Sequence, residues 1–381
     1  MRFLIVPDSY KGSLTAVEAA EAMASAVLAE LPTAEVRQIP LADGGEGTVD
    51  ALVAARGGRT EQIEVTGPLG ARASAYYGVI GPMVVLEAAN LCGLTMVPPE
   101  RRNPLRTTSR ALGEAISKAL DGGCRQFTIG LGGSATNDGG IGMLSALGAI
   151  FTDKSGGVLR GYGQDLTALS RVDFSGLDPR LKQCEITVAC DVKNPLVGAE
   201  GATFVYGPQK GADPDMCRTL DAAMATYAGL GEASLGLDPG SLRETPGAGA
   251  AGGLGFALMA LGAKLVPGAQ VIEDQTGLRA AARLADWVLT GEGRSDGQTL
   301  YGKLPLHVAR LAREEGARAV LISGSLGADS ERLMPEFAGC FSIVEQPSTL
   351  QECMGQARPL LYRCARNVVR LIGQTGGRQK L

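Results

Sequence analysis

Carboxylates and basic side chains recur beside glycines in several loops of the sequence. They are Asp8 with Lys11, Asp43 with Glu46, Asp138, Asp191 with Lys193 and Asn194, and Glu292 with Arg294 and Asp296. Transfer of a phosphoryl group needs carboxylates that hold Mg²⁺, a cation on the phosphates and a carboxylate that accepts a hydroxyl proton. A single loop of this kind is usually a turn or a helix cap. These loops, however, follow predicted strands, and open α/β sheets bind ligands at the carboxyl ends of their strands. The repeated pattern therefore indicates phosphoryl-transfer chemistry.

Residues 130–140, with the sequence GLGGSATNDGG, form the most distinctive of these loops. A predicted strand runs into the loop, and a predicted helix follows it. Gly132 and Gly133 would let backbone N–H groups approach phosphate oxygens because no Cβ is in the way, and Ser134 would add a hydroxyl donor. The alternative is a tight turn between strand and helix. We favour a phosphate site because Asn137 and Asp138 follow directly.

Two other glycine-rich segments match known nucleotide motifs only in part. Residues 247–252 match GxGxxG, but residues 243–246, RETP, are no strand, so we interpret the segment as a glycine loop that enters a helix. Residues 297–303 match GxxxxGK, but Leu304 stands where a P-loop needs Ser or Thr to hold magnesium. Lys303 is a candidate phosphate contact, and a solvated lysine is an equally good alternative.

The single histidine and the cysteines argue against other enzyme classes. His307 lies in a predicted apolar helix and is interpreted as structural, which leaves no histidine for Ser-His-Asp chemistry. The eight cysteines form no CxxC pair, so the sequence carries no zinc motif, and Cys190 is interpreted as a buried strand residue. Because the N-terminal apolar run is too short for a secretory leader, we expect reduced thiols and a cytoplasmic location.

The composition is typical of a globular protein that binds small molecules. The chain has 381 residues, which predicts about two domains at ~150 residues each, and 45% hydrophobic residues exclude general disorder. With 4% aromatic residues, a net charge of −4 and no run of Lys or Arg, nucleic acid is excluded as a partner. The uncharged segment 245–263 is crowded with glycine, so no membrane span is expected.

Strand and helix signals alternate at both ends of the chain. Strands are predicted at residues 2–6, 35–39, 287–290, 318–322 and 340–344, and helices at residues 306–315 and from Thr15, where Thr15 and Glu18 match a capping box. Such alternation predicts one parallel, doubly wound sheet built from both termini. Short strands at residues 73–77 and 84–87 and a helix from Thr107 predict a mixed α/β domain in the middle. We therefore expect a discontinuous α/β domain of residues 1–66 and 276–381, with residues 67–275 inserted.

Seven motifs, in one order along the chain, resemble the type I family of bacterial glycerate kinases. They are residues 7–13 (PDSYKGS), 40–48 (PLADGGEGT), 130–140 (GLGGSATNDGG), 190–196 (CDVKNPL), 206–212 (YGPQKGA), 246–255 (PGAGAAGGLG) and 289–294 (LTGEGR) with the following Gln298, Thr299, Gly302 and Lys303. The resemblance runs from residue 2 to about residue 325. The departures are small: Tyr10 replaces the family's usual Phe, Ser295 and Gly297 differ from its common Ile and Ser, and His307 stands where Gly is frequent.

This resemblance implies ATP- and Mg²⁺-dependent phosphorylation of D-glycerate, usually at the 2-hydroxyl. It implies a Rossmann-like domain and a second α/β domain with the active site in the cleft between them, and a reaction that feeds glyoxylate or sugar-diacid breakdown into glycolysis. The expected partners are D-glycerate and ATP, without nucleic acid or membrane, and the oligomeric state is open between monomer and homodimer. Phosphorylation of the 3-hydroxyl stays open, because positioning rather than residue type decides between adjacent hydroxyls.

The chemistry of the side chains in these motifs predicts individual roles. Asp191 is the candidate base, and Lys11 and Arg294 are candidate catalytic cations for the substrate or the transferring phosphoryl group. Glu292 and Asp296 are the candidate magnesium ligands. Candidate contacts to the nucleotide are Gly132, Gly133, Ser134, Gly249, Gly252 and Lys303. Candidate substrate-binding residues are Asp8, Ser9, Asp43, Glu46, Asn137, Asp138, Lys193, Asn194, Lys210 and Gln298.

Three other functions compete with glycerate phosphorylation. A nicotinamide-dependent oxidoreductase would use residues 247–252, although no strand precedes them. A kinase of the galactokinase or homoserine kinase type would explain residues 130–135 but not the motifs at Asp191 and Glu292. A sensor for a sugar acid would bind similar ligands without catalysis. An assay of ATP consumption that depends on glycerate separates all of these hypotheses.

Overall fold

Strands and helices alternate along the chain in the computed structural model, which describes residues 1–42, 44–301 and 304–376. In chain order the strands are β1 (Arg2–Pro7), β2 (Glu35–Gln38), β3 (Arg59–Thr66), β4 (Arg72–Ile80), β5 (Met83–Glu87), β6 (Gln126–Gly130), β7 (Ile150–Asp153), β8 (Leu169–Asp173), β9 (Glu185–Ala189), β10 (Lys264–Val266), β11 (Trp287–Gly291), β12 (Arg294–Ser295), β13 (Arg318–Ser323), β14 (Ser325–Leu326) and β15 (Gly339–Ser342). The helices are α1 (Ala16–Glu30), α2 (Thr48–Arg56), α3 (Ala88–Cys92), α4 (Arg110–Asp121), α5 (Ile141–Ala146), α6 (Ala202–Tyr206), α7 (Pro214–Ser234), α8 (Ala250–Ala260), α9 (Gly268–Thr276), α10 (Leu278–Leu284), α11 (Leu304–Glu314), α12 (Leu350–Gly355) and α13 (Ala357–Gly376). In the part of the chain that the structure describes, no helix has the length and apolar character to cross a membrane.

The chain divides into two units, and the first of them is discontinuous in sequence. The first unit comprises Met1–Asp43, Asp50–Gly57 and Ala269–Leu381, and the second comprises Gly44–Val49 and Gly58–Gly268. This division differs from the expected one at both boundaries. Strand β3 belongs to the second unit because its eight residues pair antiparallel with β4. Residues 269–275 belong to the first unit as part of α9.

A five-stranded parallel sheet in the order β15-β13-β11-β1-β2 forms the centre of the first unit. The apolar run of β1 is typical of a parallel strand that is covered on both faces. Phe3 and Ile5 of this strand pack in one core cluster with residues of α1 and α13. Helices α10 and α11 pack on strands of the same sheet. The parallel sheet predicted from both ends of the chain is therefore confirmed.

Helix α1 begins where the capping signal in the sequence predicts. Thr15 Oγ1 accepts a hydrogen bond from Glu18 N at 3.1 Å, and a carboxylate oxygen of Glu18 accepts one from Thr15 N at 2.9 Å. This reciprocal pair satisfies two backbone donors that would otherwise lack partners at the helix start. Ala20, Met23 and Val27 are buried, as their helical spacing predicts.

A six-stranded sheet in the order β10-β9-β6-β5-β4-β3 forms the centre of the second unit. Strands β10, β9, β6 and β5 are parallel to one another, whereas β4 and β3 are antiparallel to their neighbours. Strands β7 and β8 form a separate antiparallel pair. The core includes Phe151, Tyr227 and Phe256, whose rings meet edge to face with centroids 6.2 and 5.3 Å apart. The mixed α/β architecture predicted for the middle of the chain is confirmed.

The carboxyl end of β11 lies too close to its neighbours to accept a side chain. An added Cβ at Gly291 would lie 1.7 Å from the carbonyl oxygen of Ile322 in β13 and 2.6 Å from the Tyr10 hydroxyl. Tyr10 is buried, and its hydroxyl donates a hydrogen bond to the same carbonyl oxygen. This close approach holds the end of β11 directly against the backbone of β13 and the Tyr10 side chain.

We expect Gly291→Ala to lower the free energy of unfolding by roughly 2 kcal/mol or more, because backbone rather than a flexible side chain would have to move. Gly355→Ala, at the end of α12, is the control, since nothing lies within 4 Å of an added Cβ there. Its effect should stay within about 0.5 kcal/mol. Trp287 is the only tryptophan and lies in β11, so its fluorescence during urea unfolding reports on this unit. Equal stability of the two variants would contradict the argument.

Candidate active site

Three parallel strands of the second unit end side by side, and a polar group or loop follows each of them. Strands β5, β6 and β9 end at Glu87, Gly130 and Ala189. In the sheet register Glu87 is paired with Gly130, and Gly130 is paired with Ala189. The glycine-rich loop 130–140 and Asp191 therefore leave the sheet at the same edge. This is the edge at which open parallel sheets bind ligands.

Asp191 is exposed two residues beyond the end of β9. One of its carboxylate oxygens, Oδ1, accepts a hydrogen bond from the backbone N–H of Gly268 at 2.8 Å. Gly268 follows β10, the neighbouring parallel strand, so the loops after two strands fix the orientation of this carboxylate. An exposed and oriented carboxylate can accept a proton from a bound hydroxyl group.

The acidic turn at residues 44–49 lies directly against the start of the glycine-rich loop. The N–H of Gly132 donates a hydrogen bond to the carbonyl oxygen of Gly44 at 3.0 Å. An added Cβ at Gly130 would lie 2.5 Å from that oxygen, and an added Cβ at Gly132 would lie 2.6 Å from the Cα of Gly45. Two motifs far apart in sequence thus meet by direct backbone contact, which places the exposed Glu46 near the loop.

Glu87 anchors this turn, although the sequence pattern predicts it only as the last residue of a strand. Its side chain is 1% exposed. Its two carboxylate oxygens accept hydrogen bonds from Val49 N at 3.0 Å and from Gly47 N at 3.4 Å. These donors lie at the start of α2, where backbone N–H groups lack partners within the helix. A buried acid at the end of an apolar strand was the available signal, because such an acid requires donors nearby.

We expect Glu87→Gln to loosen the 44–49 turn, because an amide offers only one acceptor oxygen where the carboxylate offers two. Peptide-level hydrogen exchange should show faster exchange at residues 44–49, and the free energy of unfolding should fall by about 1–3 kcal/mol. Glu64→Gln is the control, since Glu64 is an exposed acid of the same unit. Unchanged exchange in the Glu87 variant would show that the carboxylate does not hold the turn.

Asp138 and Asn137, both predicted to bind substrate, are fully buried inside the loop. Asp138 accepts hydrogen bonds from Ser109 N and Oγ, both at 2.7 Å, and from the N–H groups of Gly140 and Gly142 at 3.0 and 3.3 Å. Burial raises the pKa of this carboxyl, and the four donors oppose that rise. Asn137 Nδ2 donates to Thr203 Oγ1 at 2.9 Å. The Asp138 carboxylate and the Asn137 amide nitrogen therefore have partners within the protein, and these contacts support the shape of the loop. Asn137 Oδ1 is buried and has no hydrogen-bond partner among the described residues.

Lys210 contacts the same loop from the interior of the protein. It ends the short 3₁₀ turn Pro208–Lys210, is 2% exposed and donates hydrogen bonds to Ser134 Oγ at 3.1 Å and to the carbonyl oxygen of Thr136 at 2.7 Å. Burial lowers the pKa of its ammonium group to about 8. Lys210 was predicted to bind substrate, but its position is beneath the loop rather than at its surface.

Asn194 and the glycines of the 246–255 motif connect further segments of the second unit. Asn194 Nδ2 donates to the carbonyl oxygen of Glu200 at 2.7 Å, and its Oδ1 accepts from the Tyr206 hydroxyl at 2.6 Å. An added Cβ at Gly249 would lie 2.2 Å from the carbonyl oxygen of Pro195, and an added Cβ at Gly252 would lie 2.1 Å from the carbonyl oxygen of Thr136. Turns rather than a strand precede these glycines. Gly249 and Gly252 thus have a packing reason to be glycine, independent of any nucleotide.

The parallel sheet of the first unit presents a second set of charged groups at its carboxyl edge. Asp8 follows β1, and its Oδ1 accepts a hydrogen bond from Ser9 N at 2.6 Å. Glu292 follows β11 and accepts hydrogen bonds from the hydroxyls of Ser295 and Thr299, both at 2.9 Å. Asp296 lies 3.3 Å from the exposed Arg294 guanidinium. Lys11 is also exposed, and Gly293 approaches its backbone closely enough that an added Cβ would lie 3.2 Å from Lys11 N.

The oxygen donors at this edge fit a hard cation only in combination with other ligands. Among the described residues, no group of three or more His, Cys, Asp or Glu side chains could hold a metal ion. Glu292 and Asp296 are two carboxylates close in sequence, and Mg²⁺ is usually bound by one or two carboxylates together with phosphate oxygens and water. Of the other predicted site residues, Asp43 and Lys303 lie outside the described residues. Gln298 lies in the 3₁₀ turn Gly297–Tyr301, and Lys193 is exposed.

His307 lies in helix α11, as predicted, whereas Cys190 differs from its interpretation as a buried strand residue: it lies one residue beyond the end of β9 and is half-buried. His307 Nε2 lies 2.9 Å from a carboxylate oxygen of Glu273, which also pairs with Arg279. These residues lie on helices α9, α10 and α11 of the first unit. Burial raises the pKa of the Cys190 thiol, which donates to the carbonyl oxygen of Val192 at 3.4 Å. A thiol with a raised pKa is a poor nucleophile.

Parallel α/β sheets with a glycine-rich loop, carboxylates and cations at their carboxyl edges are typical of α/β enzymes that bind small ligands there. The chain matches the model of the glycerate kinase family over residues 3–373. It therefore belongs to the glycerate kinase family, and it is a kinase.

Curated relatives and a solved structure resemble the chain along nearly its whole length. The glycerate kinase of Halalkalibacterium halodurans is 44% identical over 369 residues, which cover 96% of both chains. The glycerate 2-kinase of Escherichia coli K12 is 44% identical over 372 residues, which cover 97% of both chains. The solved structure of a candidate glycerate kinase 2 from Salmonella typhimurium LT2 is 44% identical, with a TM-score of 0.87 and complete coverage of both chains.

Proposed function

We propose that this protein transfers the γ-phosphoryl group of ATP to the 2-hydroxyl of D-glycerate. One observation carries the proposal: in a chain of the glycerate kinase family, the glycine-rich loop after β6 and the exposed Asp191 after β9 share one sheet edge. The 2-hydroxyl is favoured because the Escherichia coli relative is a glycerate 2-kinase. Phosphorylation of the 3-hydroxyl is the alternative.

In this reaction the glycerate hydroxyl oxygen attacks the γ-phosphorus, and the bond to the oxygen that bridges the β- and γ-phosphates breaks. The hydroxyl proton passes to a carboxylate oxygen of Asp191, and ADP is the leaving group. The backbone N–H groups of Gly132 and Gly133 and the hydroxyl of Ser134 hold phosphate oxygens. Gly132 and Gly133 are exposed, so a phosphate can reach their backbone.

Arg294 and Lys11 supply positive charge to the ligands. The planar guanidinium of Arg294 can form two parallel hydrogen bonds with the carboxylate of glycerate, and a lysine ammonium acts as a point charge on a phosphoryl group. Both side chains are exposed, which makes them accessible to ligands. Further candidate substrate contacts are Asp8, Ser9, Glu46, Lys193, Asp43 and Gln298, and Lys303 is a further candidate nucleotide contact.

Glu292 and Asp296 would hold Mg²⁺ together with phosphate oxygens of ATP. The hydroxyls of Ser295 and Thr299 hold Glu292 in place, and Arg294 lies beside Asp296. When bound, the ion neutralises negative charge on the phosphate groups. The expected cleft between two domains stays a prediction from the sequence.

Asp191→Asn should lower kcat for glycerate-dependent ADP formation by ~100-fold or more, because the amide keeps the shape but cannot accept the proton. Asp221→Asn is the matched control. Asp221 also accepts hydrogen bonds from a backbone N–H, that of Gly198 at 3.0 and 3.2 Å, but it lies on α7. Near-normal turnover in a folded Asp191 variant would exclude this residue as the base.

Phosphorus NMR of the product decides which hydroxyl is phosphorylated. We expect 2-phosphoglycerate from D-glycerate and ATP, since the closely similar Escherichia coli enzyme is a 2-kinase. A 3-phosphoglycerate product would keep the kinase assignment but overturn the position. ATP consumption that does not depend on glycerate would overturn the proposed substrate.

A further inference from the structure

Among the described residues of the second unit, Lys210 is the only lysine that is buried. It is 2% exposed, and its ammonium group donates to Ser134 Oγ at 3.1 Å and to Thr136 O at 2.7 Å. In the described part of the chain its hydrogen bonds go to a hydroxyl and a carbonyl oxygen rather than to a carboxylate. A buried charge without a paired carboxylate is costly, so its retention needs a reason beyond packing.

The contact with Lys210 determines how Ser134 can use its hydroxyl group. An ammonium group has only donors, so the Ser134 oxygen must accept, and its own hydrogen must point elsewhere. In the described part of the chain that hydrogen has no acceptor. Gly132 and Gly133, which precede Ser134, are exposed, whereas Ser134 is 4% exposed beneath them. The Ser134 hydroxyl is therefore a donor without a protein acceptor among the described residues, and it lies directly after the exposed backbone of Gly132 and Gly133.

The backbone around Ser134 holds this arrangement in place. Leu94 N donates to Gly133 O at 2.9 Å, and Ala135 N donates to Cys92 O at 2.8 Å. Lys210 binds Ser134 through its side chain and Thr136 through its carbonyl oxygen. Ser134 is thus held from both sides, and its contact with Lys210 directs the hydroxyl hydrogen away from the ammonium group.

On this basis we propose that Lys210 is a positioning residue that orients the Ser134 hydroxyl as a donor to a phosphate group bound at residues 132–134 and supplies buried positive charge beneath it. The proposal rests on the proposed kinase function, because it names the residue that prepares the nucleotide-phosphate site. Lys210 does not contact the ligand in this account. It acts through Ser134 and through its charge.

The Lys210 ammonium group carries its positive charge only below a certain pH. Burial lowers the pKa of the Lys210 ammonium to about 8, so the charge is present at neutral pH and is lost as the pH rises above that value. Two titratable groups act on it: Cys92 on α3 and Asp138 in the loop after β6. Burial raises the pKa of the Cys92 thiol to about 12, which keeps it neutral. Asp138 is held by its four donors.

The test measures the binding of ADP and of inorganic pyrophosphate by calorimetry to four proteins: the parent, Lys210→Met, Ser134→Ala and the double variant. Methionine has a similar length without charge or donors. We expect each single variant to weaken binding of both probes by about 10-fold or more, and the double variant to be no weaker than Lys210→Met. The KM for glycerate should change less than about 2-fold. Lys182→Met, a change at an exposed lysine of the same unit, should change neither.

The pH dependence provides a measurement that does not need a Lys210 variant to fold. Affinity of the parent for pyrophosphate should fall between about pH 7 and about pH 9, as the Lys210 charge is lost, and Lys210→Met should show no such fall. If that variant does not fold, a constant affinity of the parent across this range overturns the proposal. Additive effects of the two substitutions, or unchanged affinity in a folded Lys210→Met protein, also overturn it.

The outcomes separate this proposal from the kinase function. If the parent binds ADP with these dependences but forms no ADP from ATP with glycerate, the proposed function fails and the role of Lys210 stands. If glycerate phosphorylation is observed but Lys210→Met and Ser134→Ala change only the stability, the role of Lys210 fails and the function stands.

Discussion

The site in the second unit depends on one close contact, in which the 44–49 turn touches the backbone of the glycine-rich loop. Gly130 and Gly132 allow it because a Cβ at either position would overlap the backbone of Gly44 or Gly45. Backbone atoms of one turn can then form a hydrogen bond with those of the other, from Gly132 N to Gly44 O. The contact fixes two loops relative to each other without any side chain. Side chains at the edge of the sheet are therefore free to meet ligands.

Buried polar side chains then hold each loop in one shape. Glu87 binds the N–H groups of the 44–49 turn, Asp138 binds two donors of Ser109 and the N–H groups of Gly140 and Gly142, and Lys210 binds Ser134 and Thr136. Removing such groups from water is costly unless each finds a partner, so they permit few alternative arrangements. Loops that bind charged ligands need this rigidity, because misplaced donors lose much of their effect.

Exposure separates the charged residues into two groups with different tasks. Asp191, Lys11 and Arg294 are exposed at the carboxyl edges of parallel sheets, where ligands can reach them. Asp138, Glu87 and Lys210 are buried and bond to the protein itself. The first group can exchange protons or hydrogen bonds with substrate, whereas the second group acts from inside the protein, through the loops that it holds. Residue type alone does not make this distinction.

The sequence by itself determined the family, the parallel sheet from both ends and the start of α1. These follow from local signals, such as the Thr15 and Glu18 cap and the apolar run of β1, whose meaning depends on adjacent residues. Only the tertiary structure decided that β3 pairs with β4 in the second unit and that Lys210, Asn137 and Asp138 point inward. The tertiary structure also identified Glu87 as the buried carboxylate that holds the 44–49 turn. The physical reason is distance along the chain: Lys210 meets Ser134 across 76 positions, and Glu87 meets Val49 across 38. Burial and hydrogen-bond partners of this kind are set by packing between remote segments, which no local pattern encodes.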